Sequence, residues 1–116
     1  MGDRHATVST RVGRHVYSKD GDTVSGNRIT VHYMGSENGT LTIIGDDNIL
    51  AHHGLVIGKL VIVGNGNEIG QSAHYMSVKG NGNFSTDKAI ASLGYQCGKN
   101  NKLEAMSWVD IEADLE

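Results

Sequence analysis

Residues 62–69 read Ile62-Val63-Gly64-Asn65-Gly66-Asn67-Glu68-Ile69, so that a glycine–asparagine corner separates two strand-like segments. Glycine is the residue best able to adopt the positive φ of a tight corner, and asparagine follows it in that preference. Similar text surrounds further Gly-x-x-Asn pairs within residues 43–50, 78–84 and 97–103. The corner asparagines of the four copies are Asn48, Asn67, Asn83 and Asn101. A corner motif that recurs at a nearly constant period indicates stacked coils of backbone.

Two earlier copies of the motif, Gly35–Asn38 and the degenerate Gly26–Asn27, extend the pattern toward the N-terminus. The chain is therefore predicted to be all-β, a short parallel β-helix (β-solenoid) of about five coils with Gly-x-x-Asn corners, capped at both ends. Asparagines at one corner of successive coils would stack about 4.8 Å apart, each amide bonding to the next. An antiparallel sandwich is the alternative, although strands joined by hairpins have no reason to repeat one corner motif.

Three segments follow from the repeat. Residues 1–25 lack it and alternate as short strands, which predicts an N-terminal cap; residues 26–106 form the coils; and residues 107–116 form an acidic C-terminal cap or oligomerisation strand. As a strand, this last segment places on one face the carboxylates of Asp110, Glu112, Asp114 and Glu116. As a helix beginning at Ser107, it would instead align Trp108, Ile111 and Leu115.

Composition limits the class of protein. The chain has 116 residues, 16 glycines, no proline and a net charge of -3. A single cysteine, Cys97, excludes an internal disulfide and fits a reducing compartment. No apolar run reaches transmembrane length and the first residues do not read as a signal peptide, which predicts a cytoplasmic or virion-associated protein without a membrane partner. The ends differ in charge, because residues 1–31 are basic and residues 102–116 acidic.

The string Val/Ile-x-Gly-x-Gly/Asp-Asn-x-Ile resembles the repeat of right-handed parallel β-helix proteins, a group that includes pectate-lyase-like folds and small bacterial and phage solenoids. The resemblance covers roughly residues 26–106. It implies an architecture and no function, because the same fold serves lyases, phage tailspikes, adhesins and scaffold modules.

Few residues suggest catalysis or metal binding. His32, His53 and His74 follow one another at equal intervals and would form an imidazole ladder if that interval equalled one coil, but coil lengths vary, and neither a metal nor another cofactor is predicted. A carboxylate pair from neighbouring coils, Asp47 and Glu68, is the acid–base candidate of a polysaccharide-cleaving β-helix. Corner formation explains Asp47 equally well, and Cys97 in apolar surroundings reads as a packed thiol, so no catalytic residue is assigned.

These observations predict a non-catalytic protein-binding solenoid that does not contact nucleic acid directly. Carboxylates on every second residue of a strand lie about 6.7 Å apart, close to the phosphate spacing of a nucleic-acid strand. The acidic end could therefore engage a nucleic-acid-handling complex, by analogy with phage and mobile-element inhibitors of host defence such as anti-CRISPR proteins. A homodimer is expected through the apolar side of the C-terminal segment. The alternatives are a virion or scaffold module that self-assembles through its coil ends and a polysaccharide-binding or polysaccharide-cleaving β-helix.

Overall fold

The computed structural model describes the backbone of residues 10–87 and 89–110 and the side chains of residues 13–87 and 89–107. The described chain contains twelve strands and no helix, and it therefore has no helix able to cross a membrane. The strands are β1 (Thr10–Val12), β2 (His15–Ser18), β3 (Asp22–Ser25), β4 (Thr30–Tyr33), β5 (Thr40–Ile44), β6 (Ile49–Leu50), β7 (Ile57–Val63), β8 (Glu68–Ile69), β9 (Ala73–Lys79), β10 (Phe84–Ser85), β11 (Ala91–Cys97) and β12 (Trp108–Asp110).

The strands form two sheets of six. The short-strand sheet has the order β1-β2-β4-β6-β8-β10, and the long-strand sheet has the order β12-β11-β9-β7-β5-β3. Every strand pair is parallel except β1 with β2. Because the chain alternates between the sheets, one strand from each makes one coil. The fold is therefore a β-solenoid of about five turns, which confirms the predicted class and rules out the antiparallel sandwich.

Strand register follows the interval of the corner motif. In the short-strand sheet Ile49 pairs with Glu68, and Glu68 pairs with Phe84. An isolated parallel bridge then joins Phe84 to Lys102. Each of these four residues directly follows a corner asparagine, so the sequence repeat and the structural coil coincide.

The interior is built from columns of aliphatic side chains. In the long-strand sheet Leu41, Leu60 and Met76 stack in register, and each is at most 1% exposed. Val31, Leu50 and Ile69 form the facing column from the short-strand sheet. Burying one such side chain contributes about 1.5–3 kcal/mol, so a stack whose interior is mainly aliphatic can be stable.

The coils begin earlier than residue 26. β2 and β3 pair in parallel with β4 and β5 and so form the first coil, inside the segment for which cap strands are predicted. Among these strands only β1 is antiparallel to its neighbour.

The pair Gly35–Asn38 is not a copy of the repeated corner. It lies in the connection between β4 and β5, next to the buried Tyr33, whose phenol donates a hydrogen bond to the Ser36 carbonyl at 2.6 Å. Asn38 itself adopts φ +69°. The repeated corners instead follow β3, β5, β7, β9 and β11. The Gly-x-x-Asn spacing alone therefore does not identify which corner of the coil it occupies.

The C-terminal segment begins as a strand. β12 pairs with β11 in parallel, with Trp108 opposite Gly94 and Asp110 opposite Gln96. This pairing agrees with the strand interpretation for residues 108–110. The remaining predicted residues, Ile111, Glu112, Asp114, Leu115 and Glu116, lie outside the described part of the chain.

Candidate functional site

A buried row of asparagine side chains runs along one corner of the solenoid. The Asn67 side-chain oxygen accepts the backbone N–H of Asn48 at 2.8 Å, and its amide donates to the Gly45 carbonyl at 2.9 Å. Asn83 does the same for Asn67 N–H and the Gly64 carbonyl. Asn101 continues the row, and Asn48 begins it by bonding the Ile29 N–H and the Gly26 carbonyl. Each amide thus satisfies corner groups that strand pairing leaves free.

The corner asparagines do not themselves adopt positive φ, contrary to the conformational part of the prediction. The residue just before each one does so, with φ between +58° and +69° at Asp47, Gly66, Gly82 and Asn100. The corner glycines also have positive φ, between +131° and +145°. Asparagine is needed here for its amide, which can donate and accept at once.

A second, exposed row runs beside the first. Asp46 accepts the N–H of Asn65, Asn65 accepts the N–H of Asn81, and Asn81 accepts the N–H of Lys99, all at 2.9 Å. Its members are solvent-accessible or half-buried, so water can replace these bonds at little cost. The row therefore shapes the corner without being essential to it.

Three histidines on the outside of the solenoid form a hydrogen-bonded chain. His15 Nδ1 lies 2.9 Å from His32 Nε2, and His32 Nδ1 lies 2.8 Å from His53 Nε2. The Tyr17 ring stacks on the His32 ring at a centroid distance of 4.6 Å and an interplanar angle of 10°. Burial lowers the pKa of His32, and the neighbouring His53 and His15 lower it further, because each disfavours a second positive charge.

The row differs from the one predicted. His74 lies on β9, in the long-strand sheet, and His15 joins His32 and His53 instead. The interval from His32 to His53 is not one coil. β4 and β6 pair Val31 with Leu50, and the same register would place residue 51, not His53, beside His32. Among the described side chains, those of residues 13–87 and 89–107, no three His, Cys, Asp or Glu are grouped so as to hold a metal ion. The His32 nitrogens point to different neighbours, whereas metal ligands must converge on one point.

We expect the free energy of unfolding to fall as the pH is lowered, because His32 has a lowered pKa in the folded protein. A basic group whose folded-state pKa is lowered binds fewer protons when folded, so its full stabilising effect is present above pH 6.5, the unfolded value, and is lost as pH falls toward the folded pKa. Urea unfolding at pH values between about 8 and 5.5, above the range in which most carboxylates titrate, measures this loss. In His32→Gln the decline should become clearly shallower.

His74→Gln is the matched control, because His74 is exposed and lies on the other sheet. It should leave the pH dependence of the unfolding free energy unchanged. Equal slopes for wild type and His32→Gln would contradict the assignment to the histidine chain.

We call the outward-facing side of the long-strand sheet, from β3 to β11, the outer face. Its side chains form three columns in strand register. The central column is Thr23, Thr42, Val61, Ser77 and Tyr95; the first flanking column is Thr40, Lys59, Tyr75 and Leu93; the second is Ser25, Ile44, Val63, Lys79 and Cys97.

An aromatic cluster occupies this face. The Tyr75 and Tyr95 rings meet edge to face at 5.0 Å, and Lys59 Nζ lies 5.5 Å from the centre of the Tyr75 ring. Partial burial raises the pKa of Tyr75, and Tyr95 raises it further through its charge and a hydrogen bond. The sequence gives little sign of this contact, because the two tyrosines are not register partners: Tyr75 pairs with Leu93, and Tyr95 pairs with Ser77.

The carboxylates considered for catalysis are not brought together in register. Glu68 pairs with Ile49, two residues beyond Asp47. A shallow cleft of about 340 Å³ has Asp87 and Glu104 in its lining, but the Ser85 hydroxyl in that lining is used to accept the Glu104 N–H at 2.8 Å. The absence of an enzymatic activity remains a prediction.

Comparison of the chain with protein-family models, curated proteins and solved structures gives no match.

Proposed function

We propose that this chain is a non-catalytic protein-binding module whose outer face docks onto another protein. The observation that carries this proposal is the composition of that face, where tyrosines, aliphatic side chains and lysines stand on a sheet whose backbone is already paired. Tyrosine is enriched at protein interfaces, since it offers a large contact area and a polar end at low entropic cost. Coils held by buried amides make the surface rigid, which limits the ordering cost of binding.

We expect Tyr75→Ala combined with Tyr95→Ala to weaken partner binding by about 30-fold or more. Truncating one central aromatic anchor costs roughly 2 kcal/mol, which is about 30-fold, and the effects of two rings in contact do not simply add. The measurement is affinity capture from a bacterial lysate, quantified by mass spectrometry, with folding checked by circular dichroism. Phe84→Ala is the matched control, since Phe84 is 39% exposed on the short-strand sheet. Capture that is equally strong with the tyrosine double variant would refute docking through this face.

The identity of the captured protein tests the finer proposal, that the chain is a phage or mobile-element inhibitor acting in the host cytoplasm. That proposal rests on the alternating carboxylates from Asp110 to Glu116, of which the described part includes only the backbone of Asp110. A nuclease or CRISPR effector lost from the capture when residues 111–116 are removed supports it. Partners unrelated to nucleic acids would contradict it and leave the binding module intact.

Self-assembly is the second candidate, and the parallel pairing of both outermost strands of the long-strand sheet, β3 and β12, favours it. A further coil could add to such an edge by the same hydrogen bonds that join coils within the chain. Sedimentation velocity distinguishes the cases, since filaments or trimers indicate a structural module. The proposed homodimer through Trp108, Ile111 and Leu115 requires that removal of residues 107–116 abolish a discrete dimer.

A further inference from the structure

The central column of the outer face runs parallel to the solenoid axis between two columns of mostly longer side chains, and we call the strip between those two columns the trough. Its floor consists of the half-buried side chains of Thr42, Val61 and Ser77, which are mostly shorter than their neighbours. Lys59 and Tyr75 form one wall, and Ile44, Val63 and Lys79 form the other. Tyr95 stands in the floor column one strand beyond Ser77.

Charge on the outer face has one sign. One exposed lysine stands on each wall, Lys59 and Lys79, and the outward positions of β3, β5, β7, β9 and β11 contain no carboxylate. The acidic residue of β3, Asp22, is buried on the inner side. The carboxylates of Asp46, which accepts the Asn65 backbone N–H and amide, and of Asp20, which accepts the Thr40 N–H, lie outside the three columns of the outer face. A partner therefore meets positive charge on both sides of an apolar and hydroxyl-bearing floor.

The dimensions fit an α-helix. Lys59 and Lys79 are four strand positions and one strand apart, which places their Cα atoms about 14 Å from each other. A helix with its side chains is about 10–12 Å wide, and the trough from β5 to β11 is about 14 Å long, or roughly ten helical residues. Such a helix would set its apolar stripe on the floor and direct acidic residues toward both walls.

We propose that the trough binds an acidic amphipathic helix of the partner protein; this inference rests on the proposed function. The helix lies along the solenoid axis, its glutamates or aspartates pairing with Lys59 and Lys79 and its apolar residues covering Val61 and the Tyr75–Tyr95 pair. A second copy of the outer face is a poor occupant, because it would oppose lysines to lysines with no carboxylate between them. Phosphate backbones would pair with the lysines and leave the apolar floor uncovered.

The test uses a fluorescent, hydrocarbon-stapled helical peptide of about 14 residues, with a leucine stripe flanked by glutamates. Fluorescence anisotropy should show saturable binding to the 116-residue chain. The double substitution Lys59→Gln and Lys79→Gln should weaken it about five- to tenfold, the expectation for two exposed ion pairs. Lys102→Gln, an exposed lysine beside the short-strand sheet, should change affinity by less than about twofold.

Four outcomes would overturn the proposal. The first is equal binding of a peptide with lysines in place of the glutamates, and the second is unchanged affinity of the Lys59/Lys79 double variant. The third is markedly tighter binding by a chain truncated after Asp110, which would assign the trough to this chain's own acidic segment. The fourth is a dimer in sedimentation velocity that the Tyr75→Ala/Tyr95→Ala variant abolishes, which would assign it to a second copy.

The two proposals fail separately. Lysate capture that depends on Tyr75 and Tyr95, together with a glutamate peptide that does not bind, would retain the binding module and reject the acidic helix. Lysate capture that is equally strong with the tyrosine double variant would reject docking on the outer face itself, and the acidic-helix proposal with it.

Discussion

Gly64→Ala should remove a large part of the free energy of unfolding of this protein. A Cβ at Gly64 would overlap the carbonyl oxygen of Gly45, the corner glycine of the preceding coil, and the residue has φ +145°. The obstacle is backbone, which cannot rotate away as a side chain can, so two coils must separate. We expect a loss of at least about 4 kcal/mol, a large part of the roughly 5–15 kcal/mol available to a typical domain. Urea unfolding followed by circular dichroism measures it.

Gly54→Ala separates overlap from backbone strain. Gly54 also has positive φ, +77°, but an added Cβ would meet nothing within 4 Å. The substitution should therefore cost only the left-handed conformation, about 1–2 kcal/mol. If both alanine variants lost the same stability, contact between successive corners would not be what requires glycine.

Asn67→Ala should cost about 3–5 kcal/mol. The asparagine is 2% exposed, and its removal leaves the Asn48 N–H and the Gly45 carbonyl without their partners. It also removes the hydrogen bond that the Asn67 side-chain amide donates to the Asn83 side-chain oxygen at 3.0 Å. A buried backbone group left unpaired costs about 1–3 kcal/mol. Chemical denaturation at neutral pH gives the change in unfolding free energy.

Asn65→Ala is the matched control, two residues away in the exposed row. Asn65 accepts the Asn81 N–H and donates to Asp46, but water can take over both bonds. Its loss should be about 1 kcal/mol or less. If Asn65→Ala and Asn67→Ala lost the same free energy of unfolding, burial would not determine how much each amide contributes to stability.

Part of the site could be predicted from sequence and part could not. The row Asn48, Asn67, Asn83 and Asn101 was predictable because the same residue returns at each coil, and the structure places these four in one hydrogen-bonded series.

The histidine chain was half predicted, since His32 and His53 do meet. His15 was missed and His74 misplaced because equal spacing in sequence is not equal position in coils of unequal length. The register itself shows the inequality, since the step along the chain from Gly94 to its partner Trp108 is shorter than the step between strand partners on β4 and β6.

The Tyr75–Tyr95 pair shows the same limit. Two residues in adjacent columns and adjacent strands meet only once the register of β9 and β11 is known. Tyr75 belongs to a tripeptide, His-Tyr-Met, that also occurs at residues 32–34, but no such repeat contains Tyr95, so no local pattern marks the two tyrosines as neighbours.

Sequence by itself determined the corners and, through them, the stacked coils. A glycine at positive φ and an amide that must donate and accept are local requirements, and each recurs at the length of one coil. Only the tertiary structure decided which side chains share the outer face and the histidine chain. Those neighbours come from different coils, and coils of unequal length align residues by strand hydrogen bonding rather than by distance along the chain.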